Sequence, residues 1–318
     1  MYDKLNSLVT VIGGGGFIGR YVCENLFKRG VRVRVVQRQP RRAFFLQPLA
    51  AVGQLDLHSA DVTSPESLED AFQGSSAVVN LVGILNGDFD KVHVAGARAA
   101  AQAAANAGAT AFIHVSAIGA DAKSEADYAR TKGEGEAAVR ATFPDAIIFR
   151  PSLVFGPEDQ FTNRFARLMT LLPFYPVIAP NTRFQPVYVH DLAEAIAAAA
   201  MDPGRHAGKT YEIGGPEVMT MRELSAAIAR HSGQHPEFVD LPDFAANMIS
   251  YFGFLPGAPL TRDQWRMLQH DNVCAKKARG LDAFGITPTP LAAVAPDWLA
   301  RFRHGGRFAA RREYSSVG

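Results

Sequence analysis

Val9-Thr10-Val11-Ile12-Gly13-Gly14-Gly15-Gly16-Phe17-Ile18-Gly19 decides the fold. The apolar, β-branched run reads as a strand and the glycines as a tight turn, with Phe17, Ile18, Tyr21, Val22 and Leu26 recurring behind them at helical spacing. Gly13, Gly16 and Gly19 make G-x-x-G-x-x-G. The first can take positive φ in the turn, the second lets backbone approach a pyrophosphate, and the third lets helix pack on strand. Glycines also mark ordinary tight turns, so context must choose. This pattern follows a strand, opens a helix closed by Arg29-Gly30, and precedes an alternating strand over residues 31–36. N–H groups at such a helix start face the phosphates of a dinucleotide.

The expected fold class is therefore α/β: a Rossmann-type doubly wound parallel sheet with a smaller C-terminal lobe. Gly13, Gly16, Phe17, Ile18 and Gly19 are the first cofactor-binding candidates. An acidic residue at the end of the second strand would hydrogen-bond the adenosine ribose, but here the strand ends in Gln37-Arg38, with Arg41 and Arg42 beyond. A guanidinium pairs bidentately with a 2′-phosphate, so Arg38 and Arg42 point to NADP(H) over NAD(H), against the bland reading of a solvated basic loop. Arg20 is a further candidate for that phosphate pocket.

Composition bounds the alternatives. A chain of 318 residues, 47% hydrophobic, buries a large core as one large domain or two lobes. A net charge of +2 does not suggest a nucleic-acid partner. Two cysteines, Cys23 and Cys274, support neither a disulfide framework nor a cysteine metal site, and no metal is expected. The first strand starts within about ten residues of Met1, which leaves no room for a signal peptide. Residues 244–261 carry no charge, but Asn247, Gly253, Pro256, Gly257 and Pro259 interrupt them. A soluble protein of the cytoplasm is expected, at most peripheral on the cytoplasmic face of the inner membrane.

Further along, residues 55–57 open a third strand ending near Asp61-Val62, where the carboxylate can reach an adenine amino group. Ser64-Pro65 reads as the cap and first position of a helix, and residues 77–83 as a fully apolar fourth strand whose Leu81, Val82 and Gly83 lie under the cofactor. An alanine-rich helix follows over 93–107. The fifth strand, 111–116, leads to Tyr128-Ala129-Arg130-Thr131-Lys132. Four apart on a helix, Tyr128 and Lys132 share a face, so the ammonium can lower the phenol pKa and hold a ribose hydroxyl. That equips a tyrosine general acid, although the same spacing also arises as a surface pair. Gly133 and Gly135 read as close-packing positions.

A sixth strand over 147–152 carries Pro151 past the nicotinamide. Residues 164–180, with Pro173, Pro176 and Pro180, suit an irregular loop over a pocket. Asp191 with Glu194, Thr220 with Glu223, and Thr261 with Gln264 have cap spacing at three helix starts. The expected domains are 1–155, with 185–215 returning to it, then 156–184 with 216–300 as the smaller lobe, and a basic tail, 301–318. In that tail Arg301-Phe302-Arg303 and Arg307-Phe308 interleave arginine and aromatic residues, which suits a membrane surface or an acidic partner, against the bland reading of a disordered, solvated end.

Taken together, the glycine loop, Tyr128 with Lys132, Arg150-Pro151 with Gly156-Pro157, and residues 187–196 resemble the extended short-chain dehydrogenase/reductase superfamily over nearly the whole chain up to Glu223. Residues 115–121, 171–178 and 284–286 and the Arg-Phe tail resemble an atypical branch. That branch holds the nucleotide-binding accessory subunit of respiratory complex I, of the alpha-subcomplex subunit nine type, and its bacterial relatives. The resemblance implies Tyr128 as acid/base, Lys132 as its electrostatic helper and Ser116 as holder of the substrate oxygen. Only eleven residues separate Ser116 from Tyr128, about half the usual stretch, and Ala117 is a rival occupant of the serine's place. The implied function is an NADP(H)-binding accessory or assembly subunit of a respiratory NADH:quinone oxidoreductase, with weak or no turnover, docked through its C-terminal lobe and tail. The alternative is an active NADP-dependent oxidoreductase or epimerase acting on a small carbonyl or sugar-nucleotide-like substrate.

Overall fold

Leu8–Ile12 is buried at all five positions, as are Ala77–Asn80 and Ala111–Val115, and strands without a wet face need cover on both sides. The computed structural model, which describes residues 7–251, 253 and 260–306, supplies that cover. The chain divides into two units: residues 1–151, 189–213 and 275–287, and residues 152–188, 214–274 and 288–318.

In the first unit, strands β1 (Leu8–Ile12), β2 (Arg32–Gln37), β3 (Leu55–Ser59), β4 (Ala77–Asn80), β5 (Ala111–Val115), β6 (Ile147–Pro151) and β7 (Thr210–Ile213) form one parallel sheet. Their spatial order is 3-2-1-4-5-6-7. The order reverses between β1 and β4, and in such sheets ligands bind beyond the strand ends at that point. Helices α1 (Phe17–Lys28), α2 (Glu66–Phe72), α3 (Ala97–Asn106), α4 (Asp127–Thr142) and α5 (Val189–Met201) flank the sheet. Ile12, Val36, Val78 and Phe112 pack against Leu68 and Phe72 of α2, the alanines of α3 and Val139 of α4, while α1 lies against α5. Residues 275–287, expected in the smaller lobe, fall in this unit: Arg279 bridges to Tyr211, and Phe284 stacks on Phe149 with centroids 5.6 Å apart.

Four local expectations are corrected. The fourth strand stops at Asn80, whose Oδ1 accepts from the Val82 N–H at 3.1 Å and turns the chain out of the sheet. The helix expected over 93–107 opens with a π-helical turn, Asp90–Gly96, before α3. Pro65 is already helical and Ser64 caps nothing with its side chain; its carbonyl accepts from the Ser67 N–H instead. Asp191 is no cap either, because α5 begins at Val189 and leaves Asp191 buried in the first turn, where a carboxylate complements the helix dipole.

In the second unit, the irregular loop expected over 164–180 is a helix, Phe161–Leu171, followed by a strand, Phe174–Val177, paired in parallel with Glu237–Asp240. Pro173 only ends the helix, and Pro176 is tolerated because its pair of strands is isolated and its side is exposed. Thr220 and Thr261 cap the helices Met221–Ser232 and Arg262–Leu268 in full capping boxes, as their spacing predicts. The core gathers Phe155, Met169, Tyr175, Leu224, Ile228, Trp298 and Leu299. The first residues of the expected tail belong to this body: Gln234 donates to the Phe302 carbonyl at 2.7 Å and Arg301 to Asn163 at 2.5 Å. Arg307, Phe308, Arg311 and Arg312 lie outside the described residues. Among the described residues no helix is long and apolar enough to cross a membrane, and no cluster of three metal-ligating side chains occurs.

Candidate functional site

At the end of β1 the chain turns at Gly13 with φ +80°, and the Gly16 N–H closes the turn on the Gly13 carbonyl at 2.9 Å. α1 then starts at Phe17 from an extended Gly16, with no side-chain cap and no acid in its first turn. Its opening N–H groups are left for a ligand, and anions are favoured there. A Cβ on Gly19 would lie 2.3 Å from the Gly13 oxygen, so only glycine lets α1 sit this close to the turn. Phe17 and Ile18 stand half-exposed at the helix mouth.

The neighbouring strand ends converge on this loop. Gln37, at the end of β2, accepts from the Gly15 N–H at 3.1 Å and donates to the Gln39 carbonyl at 2.7 Å, stapling the glycine loop to the arginine loop. Arg38 and Arg42 are exposed, and the Arg20 guanidinium stacks over Phe45 at 4.3 Å. Beyond β3, Asp61 Oδ1 accepts from the Thr63 N–H and hydroxyl, both at 2.9 Å. These bonds, the backbone one first, with Arg38 as a smaller cause, hold its carboxyl below the usual carboxylate range. Gly96 of the π-turn comes close behind Val62. Leu81 and Val82 lie beside Gly13, and Gly83 beside the Lys132 ammonium.

On α4, Lys132 is buried and donates to the Val115 carbonyl at 3.2 Å. Burial pulls its pKa down to about 8. The Tyr128 ring centroid lies 5.9 Å from that ammonium, with His93 at 5.5 Å and Phe89 at 6.1 Å edge-on. The phenol pKa is not lowered, as the face shared with Lys132 suggested, but pushed up to about 12 by burial. Gly133 and Gly135 are close-packing positions, with a Cβ on Gly135 falling 2.2 Å from the His93 oxygen. Pro151 ends β6 and accepts from the Ile118 N–H at 3.0 Å.

Ser116, next in the chain to the Val115 carbonyl that Lys132 holds, is buried, and its Oγ has no hydrogen-bond partner. Ala117, next in the chain, is half-buried.

Two histidines are missed by the sequence reading. His93 accepts from the Ile84 N–H at its Nε2, so Nδ1 carries the proton and faces Thr131 Oγ1 at 3.0 Å, while Phe89 stacks on the ring. His114 sits beside Asn80, whose Oδ1 is engaged by Val82, so the Nδ2 amide donates to His114 Nδ1 at 3.3 Å. Burial, reinforced by Lys132, lowers the first to about 4 and the second to about 3. Both therefore bind fewer protons folded than unfolded below pH 6.5. Stability is complete above that pH and falls as pH drops toward 4, by about 1.4 kcal/mol per unit for each histidine. Urea titrations at pH 7 and 5 check this, and His114→Phe should flatten the dependence.

Residues 9–214 match the NAD dependent epimerase/dehydratase family. Subunit 9 of the NADH dehydrogenase [ubiquinone] 1 alpha subcomplex, from Rattus norvegicus mitochondria, is 37% identical over 307 residues, covering 93% of this chain and 80% of that one. Ceramide reductase from Caulobacter vibrioides is 31% identical over 76% of each chain. The NADPH-dependent quinone oxidoreductase of Escherichia coli, solved with NADPH, superposes with a TM-score of 0.73 at 20% identity, over 91% of this chain and 99% of that one, a likeness of fold alone. With its match extending from β1 through β7, the chain belongs to the NAD dependent epimerase/dehydratase family.

Proposed function

We propose that this chain binds a nicotinamide dinucleotide, NADP(H) in preference to NAD(H), and serves as an accessory subunit of a respiratory NADH:quinone oxidoreductase with weak or no turnover. One observation carries the binding half: an uncapped helix start behind a turn that only glycine can form, flanked by Arg38 and Arg42 where a carboxylate would select NAD(H). Gly13, Gly16, Phe17, Ile18 and Gly19 hold the pyrophosphate, Arg38 and Arg42 the 2′-phosphate, and Asp61 and Val62 the adenine. Leu81, Val82, Gly83, Tyr128, Lys132 and Pro151 enclose the nicotinamide half. The bound nucleotide would supply hydride chemistry; the chain's own residues position and enclose it.

The reading of weak turnover rests on the spacing at Ser116. Only eleven residues separate it from Tyr128, about half the usual stretch, and with Ala117 in the serine's place the donor to a substrate oxygen is missing; losing one such donor costs about 3 to 4 kcal/mol in barrier where it has been measured. The subunit role rests on the complex I relative, matched over 93% of this chain. Purification from the native source, with mass spectrometry of bound nucleotide and co-eluting proteins, tests both halves. Recovery alone and free of nucleotide would overturn them.

A second reading, an active reductase of a lipid carbonyl, is favoured by the intact Tyr128 and Lys132 and by similarity to ceramide reductase. Tyr128→Phe separates the readings. Nucleotide affinity should stay within about twofold, since the ring remains, and any genuine turnover should fall about 100-fold or more. A cellular phenotype that survives the change favours the accessory role.

A further inference from the structure

The second unit presents a face that the nucleotide reading does not use. On the helix Asp243–Tyr251, Ala246 and Ser250 are buried against the body with Trp265 and Leu260 nearby, while Phe244, Met248 and Tyr251 recur at i, i+4 and i+7 on the opposite side. Their exposures are 71%, 62% and 56%, where a solvated helix would carry polar groups. Leu171 at 70% and Phe174 at 52% add to the exposed apolar side chains of this unit, and Val239 stands on the outer side of the two-stranded pair.

We propose that the Phe244–Met248–Tyr251 stripe seats this protein in the interfacial layer of a lipid bilayer. Two observations favour a bilayer over a protein partner. Across residues 244–261 the sequence carries no charge, and Asn247 is the one exposed polar side chain on the helix between Phe244 and Tyr251, so the face offers a partner few hydrogen bonds. At the stripe's end the Arg262 guanidinium lies over the Tyr251 ring at 4.2 Å, an amphipathic ring paired with a cation, which suits the headgroup level. The proposal deepens the docking half of the function above and is independent of the nucleotide half.

The test is flotation of the full chain with phosphatidylcholine vesicles containing a minor fraction of phosphatidylglycerol. The parent should float, with little loss at high salt because apolar insertion is not screened. Phe244→Ser/Met248→Ser/Tyr251→Ser should partition at least about tenfold less. A control pair on another exposed apolar segment, Phe44→Ser/Leu49→Ser, should float like the parent. Because these side chains are exposed, melting should be unchanged in every variant. Failure of the parent to float, equal flotation of the triple variant, or a parent dimer that the triple variant dissociates would each overturn the proposal; the last would assign the stripe to a second copy. Nucleotide titration of the same samples keeps the two readings apart, since a chain that floats but binds no nucleotide refutes only the cofactor.

Discussion

Gly19→Ala should abolish useful nucleotide binding, weakening NADPH affinity about 100-fold, and should lower the melting temperature by several degrees. The added methyl would stand 2.3 Å from the Gly13 oxygen, 2.6 Å from Gly14 Cα and 2.7 Å from the Gly14 carbonyl carbon. All three atoms are backbone, so relief requires moving either α1 or the turn that receives the pyrophosphate. Overpacking of this kind costs about 1 to 3 kcal/mol, and the upper end alone is about two decades in affinity if the turn is what yields. Gly30→Ala is the matched control. Its φ is +77° with nothing within 4 Å of a new Cβ, so it should cost about 1 kcal/mol of stability and leave binding untouched. Fluorescence titration with NADPH and a melting curve decide it; wild-type affinity in Gly19→Ala would show that no phosphate rests on this turn.

Arg38→Asp should reverse cofactor preference. Charge-assisted hydrogen bonds contribute about 1.5 to 3 kcal/mol, and the substitution also sets a carboxylate against a phosphate, so NADPH affinity should fall about 100-fold. NADH has a free ribose hydroxyl at that place and should bind as well as before or better. Removing the cation should also let the Asp61 carboxyl rise, since Arg38 is one of the groups that depresses it. Parallel titrations with the two reduced nucleotides are sufficient. Equal losses for both would mean that Arg38 serves the loop and not the 2′-phosphate.

The parts of the molecule that depend on local chemistry were legible in the sequence. An apolar strand, a glycine turn and a helix sit next to one another in the chain, and the capping boxes at Thr220 and Thr261 span three residues each. Contacts made across the sheet were not. Gln37 reads as a strand end until its amide is seen bridging two loops, and His93 reads as one more residue of an alanine-rich helix until the π-turn aims it at Thr131 and Ile84. The prolines of 164–180 misled because breaker residues report where an element must stop, not whether the stretch between them is regular. Asp191 misled by the same route: cap spacing is satisfied equally well inside a first turn that starts two residues earlier.

Cys23 lies fully buried in α1, its sulfur close under Gly14, and burial pushes its thiol well above the usual range. Cys274, the other thiol, is half-buried and belongs to the second unit. The chain thus carries one alkylation clock per unit, and the clock at Cys23 runs only when the floor beneath the glycine turn lifts. A ligand that clamps the turn from above must slow that clock while leaving the one at Cys274 to keep its own time.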